Sequence, residues 1–442
     1  MSDLPFWSLP DRAKKDFRIV VGIDFGTTFS SYAFADKENP NQIESQDTWP
    51  EEKGPLRTNT ALQYDNEWKV IKWGYAALAE RPRTKKLFAQ PENRPVELFK
   101  LHLGNMPQDR KPRLPMGLDY RKAITDYLTK LNESIKETIQ ARWPNFDYHS
   151  HVIKIMTVPA EYDEKARHIM RMCAFEAGII NTLNSESLEF TTEPEAAAIY
   201  CVSALKEHNL NPGSTFLVVY CGEDTVDLTT WTLLADNKLS EIIERTGDFC
   251  GSAYVDREFI KYIASVIGNS AVRNVEEKHN TQLQYMIQQF HPAVKFGFNG
   301  ERAEFMTKEV DIEKLCPALM QYVQGEEKER MEDSEWIIEL DYETVKSFFD
   351  PVVERILRLI RNQLCKTGAT SAIFLIGELL ESMYLLRRVR SEFSSEVGTI
   401  AVPPRHIAAV SRGAVYYGLH ISAATSLDVT AGPSLAGPSL DV

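Results

Sequence analysis

Residues 18–35 read RIVVGIDFGTTFSSYAFA, and a second stretch of the same shape, residues 218–231, reads VVYCGEDTVDLTTW. In both, β-branched and aromatic residues flank a short turn, the pattern of two strands joined as a hairpin. In the first turn Gly26 lets the chain close and lets backbone N–H groups approach an anion. Thr27 and Thr28 add hydroxyl donors for phosphate-type oxygens, and Asp24 is placed to hold a Mg²⁺ through water. Taken alone, the stretch is also an ordinary hairpin turn. The second turn carries Gly222 and then two acids, Glu223 and Asp224, where an anion-binding turn needs glycine.

Outward from the first hairpin, residues 37–116 are polar and Pro-rich with aromatic islands, an insertion of short strands and one or two helices. Ile124, Tyr127, Leu128, Leu131, Ile135 and Ile139 recur at helical spacing and predict an amphipathic helix over 121–143. HVIKIMTVPAEY is a buried strand, EKARHIMRMCAFEAGI a helix closed by Gly178, and EPEAAAIYCVSAL a small-residue helix suited to packing closely on a sheet. The second half repeats this plan. A hairpin is followed by largely helical residues 259–298 and a helix through Val353, Ile356, Leu357, Ile360 and Leu364. The buried strand SAIFLIGEL and the small-residue helix HIAAVSRGAVYYGLHIS close it. The pattern is an internal duplication of architecture rather than of sequence.

The chain has 442 residues, 43% of them hydrophobic, enough for two or three domains. A formal charge of −13 and a pI near 5.3 argue against nucleic acid or an anionic membrane as the main partner. Six cysteines without CxxC spacing read as mostly buried small apolar residues in a reducing compartment. With no apolar run of spanning length and no signal peptide, the expectation is a cytoplasmic protein, the nucleus being the alternative. The nine histidines show no metal-ligand spacing, and Asn132 opens a glycosylation triplet best read as chance. The acidic stretch 326–343 reads as a solvated helix face or loop, with recruitment of a basic partner as the other reading. The tail, 422–442, repeats AGPSL and SLDV and reads as disordered.

Seven blocks in order, VVGIDFGTTFSSYAF, TVPAEYDEKAR, TEPEAAAIY, VVYCGEDTVDL, GDFCGSAYVD, FLIGELLESMYL and AVSRGAVYYGL, resemble the ATPase domain of the 70-kDa heat-shock family. The likeness is strongest to its divergent branch without a peptide-binding domain. The resemblance implies an α/β, actin-like ATPase fold: two lobes with mixed five-stranded sheets around a central nucleotide cleft. It implies lobe I at 17–210, with the insertion 37–116, and lobe II at 211–421, with an upper part at 253–350, after an N-terminal extension at 1–16. It also implies ATP or ADP with Mg²⁺ as cofactor. Asp24, Gly26, Thr27 and Thr28 match the first phosphate hairpin. Lys100 matches the lysine on the γ-phosphate, with a surface lysine as the other reading. Glu193 matches the cleft carboxylate, and Asp227 and Thr225 match the acid and threonine of the second hairpin. Lys100, Glu193 and Asp227 would thus be catalytic in an active protein. Gly222, Gly251, Lys295 and Gly377 complete the nucleotide-binding set, and Asp24 the metal site.

The departures are concentrated. Where the family has Asp-x-Gly-Gly-Gly-Thr-x-Asp, residues 220–227 read YCGEDTVD, so Tyr220 replaces an acid and Glu223 and Asp224 replace glycines. Glu378 and Leu380 stand at usual glycines of the adenosine turn, and Phe296 at an arginine that stacks on adenine. A like-charge pair at about 4 Å costs on the order of 4 kcal/mol at an effective dielectric near 20. Micromolar affinity is worth only about 8 kcal/mol, so two acids facing a polyphosphate would abolish ordinary Mg·ATP binding. Outward-pointing side chains, extra metal or a shifted register are the escapes.

The leading expectation is a chaperone-related pseudo-ATPase, a weakened or non-binding relative that acts as an interaction module for an unknown protein partner. The alternatives are an ATP-binding switch with slow hydrolysis and a sugar or small-molecule kinase of the same fold. A peptide-chaperone role is not expected, because only about twenty residues follow Ser422.

Overall fold

In the computed structural model, residues 17–78, 95–104, 106, 111–204, 210–235 and 238–423 are described. The expected N-terminal extension and the AGPSL repeats of the tail lie outside them. The first sheet is built from β1 (Ile19–Phe25), β2 (Phe29–Asp36), β3 (Glu44–Ser45), β4 (Val152–Val158) and β5 (Leu188–Thr192), in the order β3-β2-β1-β4-β5. The short strand Thr58–Asn59 adds to β2. The second sheet comprises β6 (Thr215–Cys221), β7 (Val226–Leu233), β8 (Leu239–Asp248), β9 (Ala372–Gly377) and β10 (Thr399–Ala401), in the order β8-β7-β6-β9-β10.

The two orders are the same under the exchange of β1 for β6. Each begins with an antiparallel hairpin, β1 with β2 or β6 with β7, and continues through two parallel neighbours. The duplication expected from element order is therefore a duplication of topology.

Strand alternation divides each central strand between two cores, since successive side chains face opposite sides of a sheet. Ile19, Val21, Ile23 and Phe25 point outward, into a core with the helix Tyr120–Arg142. Leu217, Val219 and Cys221 join a second outer core with the helices Ala253–Ile267 and Tyr342–Thr367. Val20, Phe216 and Val218 face a third core, shared by both sheets and by the helices Glu193–Ala204 and Ala409–Ala423. Both faces of each sheet are covered, so the strands read as continuous apolar runs.

The two inner helices explain their small residues. Helix Glu193–Ala204 packs chiefly on helix Ala409–Ala423 rather than on a sheet, a correction to its expected partner. A Cβ on Gly413 would stand 1.8 Å from the Ala196 carbonyl oxygen, and one on Gly22 would stand 2.2 Å from that of Ser411. The helices and β1 approach at a distance only glycine permits.

The cysteines are buried as expected except Cys365, which is exposed. The acidic stretch forms the helix Gly325–Asp333, buried only at Met331, and then the strand Ile337–Leu340. Among the described residues no helix is long and apolar enough to cross a membrane.

Candidate functional site

The turns of both hairpins, the end of β9 and the start of helix Glu193–Ala204 come together. On the lobe I side Asp24 pairs in register with Thr157 of β4, whose hydroxyl donates to its carboxylate at 3.1 Å. Gly26 is needed for close approach, since a Cβ there would lie 2.2 Å from the Phe29 carbonyl. The Thr60 hydroxyl donates to the Gly26 carbonyl at 3.0 Å and fixes the turn.

Lys100 is no surface lysine. It lies on the short helix Phe99–His102, 2% exposed, and its Nζ donates to Glu193 Oε1 at 2.9 Å. The ion pair raises the Lys100 pKa against the cost of burial. Burial and the facing Glu193 push Asp24 up to about 7, partly offset by Lys100, Thr157 and Arg57.

On the lobe II side the Thr225 hydroxyl donates to Asp227 at 2.9 Å. Asp227 is open to solvent, yet the cleft walls strip much of its water and push its carboxyl up to about 6. Glu193 and Glu161 add to that rise. Tyr220 replaces an acid among these groups; burial and the carboxylates of Asp24 and Glu193 hold its phenol neutral. Asp24, Glu193, Lys100 and Asp227 are thus brought together.

The second turn differs from expectation in its detail. Gly222 N–H donates to the Thr225 carbonyl at 2.9 Å, leaving Glu223 and Asp224 as the loop residues, and neither has positive φ. Their side chains therefore impose no left-handed strain. The N–H groups of Gly251, Ser252 and Ala253 donate to the carbonyls of Asp224, Gly222 and Glu223 at 3.1, 3.0 and 2.9 Å. Three donors at the start of helix Ala253–Ile267 thereby hold the turn. Gly251 must be glycine, because a Cβ would lie 2.1 Å from the Glu223 carbonyl. Gly377 is doubly constrained, with φ +102° and a Cβ position 2.2 Å from the Cys221 carbonyl.

The acids do not stand as free charges. Asp224 accepts from the Thr28 hydroxyl at 3.3 Å, hairpin to hairpin, with Arg257 at 3.6 Å. Glu378, 2% exposed, pairs with Arg57 Nη2 at 2.8 Å and accepts from Ser252 Oγ. Arg57 is carried by lobe I beside strand Thr58–Asn59, with its guanidinium 3.6 Å from the centre of the Phe29 ring. Burial opposes ionisation of Glu378, but Arg57, Lys295 and His291 hold its carboxyl well below the usual range. Burial and the neighbouring Glu378 push Glu223 well up, and its buried Oε2 has no hydrogen-bond partner. Lys295, expected on a ribose or adenine, is 1% exposed and donates to both Asp256 oxygens at 3.0 and 2.8 Å. His291 lies 3.1 Å from the same carboxylate.

Sequence reasoning missed Arg57, Asp256 and His291. His291 and Lys295 stand four apart, a same-face helical spacing that offered a signal. Arg57, in GPLRTNT, offered none.

No protein-family model matches the chain. It is 24% identical to heat shock 70 kDa protein 12A of Mus musculus, over 93% of this chain and 70% of that protein. The Homo sapiens protein of the same name is also 24% identical, over 92% of this chain and 70% of its own length. Heat shock 70 kDa protein 12B of Homo sapiens is 22% identical, over 91% of this chain and 68% of that protein. With two mixed sheets of one topology the chain has an actin-like fold, and along nearly its whole length it is similar to the divergent 70-kDa heat-shock-like proteins 12A and 12B.

Proposed function

We propose that this chain is a pseudo-ATPase whose cleft has lost ordinary Mg·ATP binding and whose lobes serve as an interaction module. The observation that carries the reading is the Arg57–Glu378 ion pair joining lobe I to lobe II, with Glu223 against it. A nucleotide in an actin-like fold lies between the adenosine turn and the two phosphate hairpins. Here Glu378 of that turn is tied to lobe I by a buried ion pair, and Asp224 ties one hairpin to the other. A triphosphate entering the cleft would have to break both contacts and lie beside carboxylates. Removing one partner of a buried ion pair costs about 3–5 kcal/mol, a large part of a micromolar affinity. Mg·ATP does not fit this arrangement.

The slow ATP switch keeps one specific support: Asp24, Gly26, Thr28 and the buried Lys100–Glu193 pair keep the residue types that the family resemblance assigns to phosphate. Calorimetric titration with ATP and ADP, with and without Mg²⁺, separates the two. The expected result is no heat of binding up to millimolar ligand. A variant combining Glu223→Gly, Asp224→Gly and Glu378→Gly is expected to gain affinity. Micromolar binding by the unaltered protein would overturn the reading and make the switch the function.

A further inference from the structure

Among the described residues strand Ile337–Leu340 pairs on one side only, antiparallel with Lys308–Asp311. Ile312 N–H donates to the Trp336 carbonyl at 3.0 Å, so the hydrogen-bonded positions are Trp336, Ile338 and Leu340. The backbone groups of Ile337 and Glu339 face the other way. Ile337 N–H is taken by the Ser334 carbonyl at 3.0 Å. The Ile337 carbonyl and both backbone groups of Glu339 have no backbone partner among the described residues.

A groove of about 250 Å³ runs along this free edge, touching Ile337, Ile338 and Glu339 in succession. Successive side chains of a strand point to opposite faces, so a space that meets three in a row lies along the edge. Tyr262 and Val266 of helix Ala253–Ile267, with Met331, give it an apolar wall. The charged residues that line the groove are Arg330 and Glu339, and the stretch around them, residues 325–340, holds seven carboxylates and two bases. Both bases face carboxylates of their own helix, Lys328 at 3.7 Å from Glu332 and Arg330 at 3.6 Å from Glu327. Exposed edges are guarded by short length, charged side chains, lysine or proline; residues 334–340 contain no lysine or proline, and the charge on this four-residue edge is Glu339.

We propose that this edge is a docking groove for an extended basic peptide segment of a partner protein. The segment would add a strand beside Glu339, place one apolar side chain against Tyr262, Val266 and Met331, and set lysine or arginine against the carboxylate rim. Charge decides the occupant. A second copy of this acidic chain would bring its own Glu339 and rim acids against the same carboxylates, and like charges across a strand pair are destabilising. The inference names the partner chemistry of the interaction module proposed above.

The test is fluorescence anisotropy on the full chain with a labelled heptapeptide of alternating lysine and valine. Controls are the same peptide with glutamate for lysine and one with proline at its central valine. The lysine peptide is expected to bind, the glutamate peptide not to bind, and the proline peptide to bind more weakly. Glu339→Lys and Val266→Arg are each expected to weaken binding about tenfold or more, equivalent to 1.4 kcal/mol, with an unchanged melting temperature. Hydrogen exchange supplies a readout on the unaltered protein: the Glu339 amide gains protection when the lysine peptide binds. Equal affinity in Glu339→Lys, or no added protection at Glu339, would overturn the proposal. So would a dimer that Glu339→Lys dissolves, which would assign the edge to a second copy. Peptide binding is read with and without Mg·ATP, so a nucleotide-binding result would sink the pseudo-ATPase reading while leaving the groove to stand or fall alone.

Discussion

At the scale of single residues, Arg57 and Lys154 show two fates of a buried cation. Arg57 answers Glu378 at 2.8 Å and lies close to Glu223. Arg57→Ala leaves Glu378 buried without its counter-charge and is expected to destabilise the protein by about 3–5 kcal/mol in urea unfolding. Replacing both partners with apolar residues, Arg57→Met with Glu378→Leu, is expected to cost far less. A loss below about 1 kcal/mol in the single variant would mean that the pair behaves as a solvated surface bridge.

Among the described residues Lys154 has no carboxylate partner. It is fully buried in β4, donates to the Tyr148 carbonyl at 2.7 Å and lies over the Tyr148 ring. Burial and then Lys136 pull its pKa from 10.5 down to about 7, with Asp147 offsetting part of the shift. Between those values the unfolded chain holds a proton that the folded chain lacks. Stability therefore rises with pH from about 7 to about 10.5 through this group. Lys154→Met is expected to stabilise the fold by about 1–3 kcal/mol near neutral pH and to flatten that rise. Melting curves at several pH values read both effects, and a destabilised variant with the slope intact would contradict them.

At the scale of elements, the inner helices explain what composition alone leaves open. Small residues in EPEAAAIY and AVSRGAVYYGL are legible as a demand for close packing, but the partner is not. A run of alanine and glycine fits a sheet or a helix equally well, and only the fold brings Gly413 onto the Ala196 carbonyl. Gly413→Ala places a Cβ against backbone that cannot move aside as a side chain can. It is expected to destabilise by about 1–3 kcal/mol or more, measured by urea unfolding. A neutral substitution would mean that the two helices separate without loss. The second hairpin turn gives the same lesson in reverse. Its acids look like a simple repulsive barrier in the sequence. The fold instead gives Asp224 a donor in Thr28 and sets Glu223 against a pair formed by residues 321 positions apart, Arg57 and Glu378.

At the scale of the whole molecule, the cross-lobe contacts bear on how the protein responds to ligand. A nucleotide that binds only the folded state adds about 2.7 kcal/mol at a hundred times its dissociation constant. Millimolar Mg·ATP is accordingly expected to leave the melting temperature of the unaltered protein unchanged and to raise that of the triple glycine variant. The sequence by itself determined the strands, the duplicated plan and the kinship, because hairpin turns, apolar runs and helical periodicity are local signals. It also singled out Asp24, Gly26, Thr28, Lys100 and Glu193 through the stretches that carry the family resemblance. Only the tertiary structure decided what faces them. Arg57 lies in a Pro-rich segment with no pattern, and Glu378 follows the strand Ala372–Gly377 more than three hundred residues later. Their pairing, and the one-sided edge of Ile337–Leu340, come from how separate elements pack, and no local rule carries that information.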